Sequence, residues 1–555
     1  MRLPTIASER ILISFGDSPL EVARIQNRVT GETLCASGHQ ALLVRMPEAV
    51  SDPVFLTRVK WERCGISEVC LTACDERGLY QARLEVSEAA EGLLFRLRVA
   101  CPEPVWLVEW NLSGLFLDDV IVPALGGQVI TSAMPQDVML TYKYPFWWNA
   151  QFVLGSTRAG GLLGRTLDRN PGFRLLRIGR VGKAFSLGLG FEAEGPLRSG
   201  SLEAVWYLDC YGGDWRCPVD WYRAWLEKAF QLVPLDDNPR WPDWAKHINF
   251  ILEIWGMGKQ RPEPHHTFVQ MRERLKSWRR LHPPEQTLVY LPGFAEHGID
   301  SRAPDYNPSK ELGGKKGFRE LVIAAKDMGY HLMVHTNALA MTFAHPLYAK
   351  FKRHQVVDVF GRRQGWGLDI DGDWLAEPYF AYINPGVQAW RDLMREIIGE
   401  LIADYDLDAI FLDQTLLAFN VSRGPNFVLG MRDHIKGLAN AFPRVLFAGE
   451  GLHEHVAAVL PMAQIHGLDS ITEGQSLQGR RQWRKVHPVS VYLFGRYTRF
   501  VAHLLTKHPS HPLFRWQERA YAELGVLPAL ALYDSSQPMD TREVRQMLRR
   551  ARSIQ

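Results

Sequence analysis

The chain reads as a multidomain α/β protein, an N-terminal β-sandwich followed by a (β/α)8 barrel of the TIM type. Three observations predict this. Up to about residue 235, short runs such as Arg10-Ile-Leu-Ile-Ser-Phe15, Gln81-Ala-Arg-Leu-Glu-Val86 and Glu203-Ala-Val-Trp-Tyr-Leu208 recur between clusters of Gly, Pro, Asp and Asn. That spacing suits antiparallel strands in a sandwich. Beyond Trp244, apolar runs alternate with amphipathic stretches, as in a parallel array of strands and helices. Finally, 555 residues exceed what one hydrophobic core serves.

The elements follow in order. Residues 1–235 form the sandwich domain, closing with a helix over 218–230, and Pro234 to Pro242 reads as the linker. The barrel occupies 236–555, with strands expected at 248–254, 287–291, 331–336, 408–412, 445–449, 468–472, 488–494 and 526–533. Helices are expected over 268–280, 316–328, 385–405, 427–441 and 497–506. Asn384-Pro385 has the chemistry of a helix start, a capping side chain followed by a ring suited to the first turn.

Composition narrows the function classes. Apolar content of 46% with 23% charged residues is that of a globular protein, and a net charge of +3 asks for no nucleic-acid or anionic-membrane partner. No run of about 18 uncharged apolar residues exists, so no membrane span is expected. The first residues lack the apolar core of a secretory signal, which places the chain in the cytoplasm. Seven cysteines, at 35, 64, 70, 74, 101, 210 and 217, are odd in number and form no CxxC pair. Reduced structural thiols are the expectation. The sandwich leaves room for self-association, which no residue requires.

Two runs carry the chemistry. Asp408-Ala-Ile-Phe-Leu-Asp413 and Val445-Leu-Phe-Ala-Gly-Glu450 each read as a buried parallel strand ending in an acid. Side chains at the C-terminal strand ends of such a barrel converge on one mouth. Two acids from consecutive strands can then face each other across a sugar, the arrangement glycoside hydrolysis requires. A carboxylate at the end of an apolar strand is poorly solvated, and Gly449 and Gly451 leave Glu450 in a tight, partly dry loop. Partial burial suits a general acid, because it favours the protonated form. Asp413 is the expected nucleophile and Glu450 the expected acid/base.

The stretch from Asn384-Pro385 to Tyr405-Asp-Leu-Asp-Ala-Ile-Phe-Leu-Asp413 resembles the fourth-strand region of retaining α-glycosidase barrels. That group includes the α-amylase superfamily, the α-galactosidases and the endo-α-N-acetylgalactosaminidases, and the likeness covers most of 245–533. It implies a covalent glycosyl intermediate on Asp413, proton transfer by Glu450, no cofactor and a glycoside, oligosaccharide or polysaccharide substrate. It also implies a sandwich of the galactose-mutarotase type. Two departures stand out. α-Amylase relatives carry an Arg two residues before the nucleophile and α-galactosidase relatives a Lys, where this chain has Phe411. The α-galactosidase pattern takes its acid/base from the sixth strand, which makes Asp469 the rival to Glu450; with Glu450 in that role, Asp469 is assigned to a sugar hydroxyl.

Other strand ends offer sugar-binding groups: Trp255 after the first strand, Asp305 with Tyr306, Glu296 and His297 in the second loop, and His335 and Asn337 after the third. His487 is expected on the opposite rim. In the sandwich, Tyr142-Lys-Tyr-Pro-Phe-Trp-Trp-Asn149 supplies Trp147 as a stacking platform or as interface mass. Metal readings are weaker. His453-Glu-His455 alternates, whereas a helical zinc pair needs i and i+4. His265-His266 is a loop pair, and Asp369, Asp371 and Asp373 lack the downstream Glu of a calcium loop. No metal is assigned. The expected activity is retaining hydrolysis of an α-linked glycoside, with the two carboxyls about 5–5.5 Å apart. The alternatives are a sugar-binding pseudoenzyme and a metal-dependent hydrolase on the same barrel.

Overall fold

A computed structural model describes residues 4–62, 68–259, 263–366, 380–465, 483–503, 509 and 512–554. The chain divides into two compact units, Met1–Ala229 with Arg480–Leu493, and Phe230–Gly479 with Phe494–Gln555.

The first unit is built from two ten-stranded sheets in which every pairing is antiparallel. Alternation decides which face is buried. In Ile11–Phe15 every second residue is buried, and in Gln81–Ala89 the buried set is Ala82, Leu84 and Val86. The inner faces meet in a core where Phe95 and Trp206 stack at 5.2 Å and Trp110 lies 5.1 Å from Trp206. The edge strand Arg484–Val486, from far along the chain, pairs with Gln128–Thr131. Cys70 is disulfide-bonded, contrary to the expectation of reduced thiols, and its partner lies outside the described residues. Cys35, Cys74, Cys101, Cys210 and Cys217 are free. A helix over Arg216–Phe230 follows the last long strand.

The second unit holds eight parallel strands whose spatial order follows the chain: Phe250–Ile254, Thr287–Leu291, His331–Asn337, Ala409–Asp413, Leu446–Gly449, Met462–Ile465, Arg499–Ala502 and Ala529–Leu532. We call these the first to eighth strands. A parallel bridge from Val501 to Leu527 brings the seventh strand against the approach to the eighth and closes the ring. The strands are largely apolar because both faces are covered, the inner by the barrel core and the outer by helices such as Phe268–Trp278, Gly314–Asp327, Gln388–Tyr405 and Phe427–Ala441. Thr267 caps the first of these with a full capping box, and Asn426 caps the fourth by accepting from Leu429 N. Asn384 does not cap; its Oδ1 accepts from Gly386 N at 2.8 Å in a turn, and the helix begins at Gln388.

Two of the expected strands are displaced. The sixth is Met462–Ile465, and 468–472 lies outside the described residues. The run over 488–494 is a short helix, Val489–Phe494, assigned to the first unit up to Leu493. Pro488 opens it, with Tyr492 N donating to Pro488 O at 2.7 Å, so a favourable first turn overrides the β-branched side chains. The seventh strand lies where a helix over 497–506 is expected. After the third strand, a small sheet of Ala340–Thr342, Phe380–Tyr382 and Gly365–Trp366 rises at the C-terminal end of the barrel.

Candidate active site

Parallel register brings the polar ends of neighbouring strands level. His335 pairs with Phe411 and Asn337 with Asp413 across the third and fourth strands. Alternation along the fourth strand places Phe411 and Asp413 on the same face. The Phe411 ring lies 4.8 Å from Tyr290 of the second strand and 5.8 Å from His335, forming an aromatic floor on which the polar layer rests.

Asp413 is half-buried, and its Oδ2 accepts from Asn337 Nδ2 at 3.1 Å. The next residue, Gln414, takes a left-handed backbone at φ 64°, a conformation costly for a side chain of its kind. That turn aims Gln414 N at Glu450, whose Oε2 accepts it at 2.9 Å. The Gln414 side chain donates to the Tyr382 hydroxyl at 3.1 Å, fixing the turn to the small sheet. The two candidate carboxyls therefore share one loop junction. The glycines around Glu450 permit it. A Cβ on Gly449 would stand 2.4 Å from Thr415 Oγ1, and one on Gly451 2.8 Å from Leu416 Cβ, so only glycine lets the segments after the fourth and fifth strands approach this closely.

Behind Asp413 lies a charged chain. His335 Nε2 is 3.0 Å from Asp300 Oδ1, and the Tyr290 hydroxyl is 2.7 Å from His335 Nδ1. Lys259 Nζ sits 3.9 Å from Asp300 Oδ2 and 3.4 Å from the centre of the Trp366 ring. The Tyr306 hydroxyl accepts from Asn337 N at 2.7 Å. Burial and the nearby Glu450 charge push Asp413 well above the usual carboxylate range, while His335 and Lys259 pull it back. Burial works against the His335 cation, but Asp300 and Asp413 outweigh it and hold His335 above its ordinary value. For Asp300, burial is likewise outweighed by His335 and Lys259, and its carboxyl is held below the usual range. Asp300, His335 and Asp413 each offer a donor atom within 4.8 Å of the others. With both His335 nitrogens already engaged, the cluster fits an internal ion pair better than a metal.

The other expected site residues fall as follows. Trp255 is half-buried after the first strand, stacked on Tyr533 at 4.8 Å, with its indole N–H 3.4 Å from Glu253 Oε2. Asp305 is not brought to this cluster. It caps Asn307 and lines a groove with His345, Glu396, Glu400 and Asp404. Trp147 belongs to the first unit, half-buried and stacked on Phe146 at 4.4 Å. His487 is also in the first unit, 4.6 Å from Trp215, which corrects its expected place on a barrel rim. Asp469 and Asp369, Asp371 and Asp373 lie outside the described residues. His453, Glu454 and His455 are buried around a single helical turn, and burial lowers His453 to about 3. Residues that sequence reasoning missed are Lys259, Tyr290, Asp300, Trp366 and Gln414.

A family model described as a domain of unknown function (DUF6259) matches residues 201–424, a span that includes Asp413 and stops before Glu450. No curated protein matches. Among solved structures, the α-N-acetylgalactosaminidase NagBb from Bifidobacterium bifidum in complex with GalNAc is similar over 100% of this chain and 93% of that one, at 14% identity and a TM-score of 0.74. Its complex with Gal-NHAc-DNJ aligns over 99% and 92% at the same identity and TM-score. A substituted GH36 α-galactosidase AgaA from Geobacillus stearothermophilus, in complex with raffinose, aligns over 98% and 77% at 11% identity and a TM-score of 0.50. At these identities the likeness is one of fold. The β-rich N-terminal region followed by a parallel eight-stranded barrel is the architecture this chain shares with NagBb.

Proposed function

We propose that this chain is a retaining glycoside hydrolase acting on an α-linked sugar, with N-acetyl-α-galactosaminides and α-galactosides as the first substrates to try. One observation carries the reading. Asp413 and Glu450 stand at the C-terminal ends of consecutive barrel strands, and the amide after Asp413 is hydrogen-bonded to Glu450. The fold shared with NagBb, whose complex contains GalNAc, supports the choice of sugar. Asp413 attacks the anomeric carbon while Glu450 protonates the departing oxygen, giving a glycosyl ester on Asp413. Glu450 then takes a proton from water, which attacks the same carbon and releases the sugar with its α configuration. Trp255, Asn337 and His335 line or support the sugar position in this reading, and Asp469 keeps its assignment to a sugar hydroxyl.

The test is a screen of 4-nitrophenyl α-glycosides, with the anomer of the first-formed product read by NMR. Release of the α sugar, lost in Asp413→Asn, is the expected result. Release of the β sugar would replace retention by inversion, and full activity in Asp413→Asn would remove the assignment.

A further inference from the structure

Hydrolysis by this pair needs one ionised and one protonated carboxyl. Burial and mutual repulsion favour a single shared proton but do not say which acid keeps it. The fourth strand offers no answer, because the residue on the same face below Asp413 is Phe411. The third strand does. Its register sets His335 beside Phe411, one alternation below the Asn337–Asp413 pair. There the ring is buried, with a hydrogen-bonding group on each nitrogen: the Tyr290 hydroxyl at 2.7 Å and the Asp300 carboxylate at 3.0 Å. A doubly protonated imidazole finds an acceptor on both sides. Asp300 reaches its place from a left-handed backbone, φ 55°, so the loop is held in a strained form that sets this carboxylate against the ring.

We propose that His335 is a positioning residue for the reaction: its imidazolium, clamped between Asp300 and Tyr290, is the counter-charge that makes Asp413 the ionised member of the pair. This rests on the reading of Asp413 as nucleophile. His335 faces Tyr290 from the second strand, Asp300 and Lys259 from the loops after the second and first strands, and Asp413 from the fourth. Asp413 faces Glu450 from the fifth-strand loop, together with His335, Asp300 and Lys259. Among these groups the only bases are His335 and Lys259, and Lys259 is turned to Asp300 and the Trp366 ring. Burial and the Glu450 charge hold Asp413 high, and His335 is the largest influence opposing them, while Asp413 in turn helps hold His335 up.

The experiment compares the pH dependence of kcat/KM for the intact protein and His335→Gln on 4-nitrophenyl α-N-acetylgalactosaminide, alongside 15N NMR of histidine-labelled protein. The acidic limb should move up by about one pH unit in the variant, a loss of about tenfold on the acid side that closes toward alkaline pH. The His335 ring, assigned through its disappearance in the variant, should show both nitrogens protonated at neutral pH. A uniform loss at every pH, or a neutral ring, would overturn the proposal. If His335→Gln does not fold, Tyr290→Phe assigns the ring by its shift and the protonation state decides. Asp413→Gly with added azide separates the two levels. Hydrolysis persisting without azide removes the nucleophile and this inference together, whereas azide rescue with an unmoved limb in His335→Gln removes this inference alone.

Discussion

Two buried carboxylates of the sandwich and two of the barrel are compensated in opposite ways. In the sandwich, Glu109 lies between Arg45 at 3.0 Å and Arg177 at 3.1 Å. Asp209 is held by Arg10 at 2.6 Å, with Arg165 at 4.0 Å. In the barrel, Asp413 takes a neutral amide from Asn337 and Glu253 a neutral indole N–H from Trp255. Among the described residues neither forms an ion pair with an arginine or lysine. A carboxylate fully paired with arginine has its oxygens engaged and can do little but hold strands together. One whose direct hydrogen-bond donors are neutral stays open to a change of charge, which catalysis needs. Under the proposed function, the contrast separates acids that hold strands together from acids that do chemistry.

The largest break in that contrast should come at Asp413. Asp413→Asn is expected to lower kcat by about a thousandfold or more, while the thermal midpoint stays level or rises, because Asn keeps the contact to Asn337 and removes a charge that burial opposes. A midpoint that drops as sharply as activity would place Asp413 with the structural acids. Glu450→Gln comes next. Slow-leaving glycosides should lose about 10²–10³-fold, and nitrophenyl glycosides far less, because a good leaving group needs little proton assistance. Equal losses on both would deny Glu450 the acid role.

The sandwich supplies the converse. Arg45→Met leaves Glu109 buried with Arg177 as its remaining partner, and should cost about 3–5 kcal/mol of stability by denaturant titration. Turnover per folded molecule should not change. A shift in kcat at constant stability would undo the division between the two regions.

What could be read in advance follows the same physics. The fourth strand was visible as an unbroken apolar run with a sharp end, and the helix over Phe427–Ala441 as a long run with one period. Asp413 and Glu450 stood out because an acid closing an apolar strand violates the pattern around it. The sixth and seventh strands, Met462–Ile465 and Arg499–Ala502, are as short as the fifth but carry Gln464 and Arg499 and are closed by no acid, so nothing marks them out. Tyr290, Lys259 and Asp300 were not legible, since their meaning lies in which groups the closed ring sets beside them. Lys259 in particular reads as an ordinary loop lysine until Asp300 and Trp366 are seen on either side of it.

Glu253 gives the finest discrimination. It lies inside the first strand, buried, with Oε1 lacking a hydrogen-bond partner among the described residues. Burial raises it from 4.5 to about 7, against the small opposing effect of the Trp255 hydrogen bond. The folded state therefore prefers the protonated acid. Its contribution to stability is whole below pH 4.5 and is lost as pH rises to about 7, a change of roughly 3 kcal/mol at most. Glu253→Gln imitates the protonated form and removes this dependence, less ~1 kcal/mol for an amide proton left unpaired. The variant should be more stable than the parent at pH 8 by urea titration and no more stable at pH 4. If the two proteins keep the same difference at both pH values, Glu253 ionises freely and belongs with the compensated acids of the sandwich.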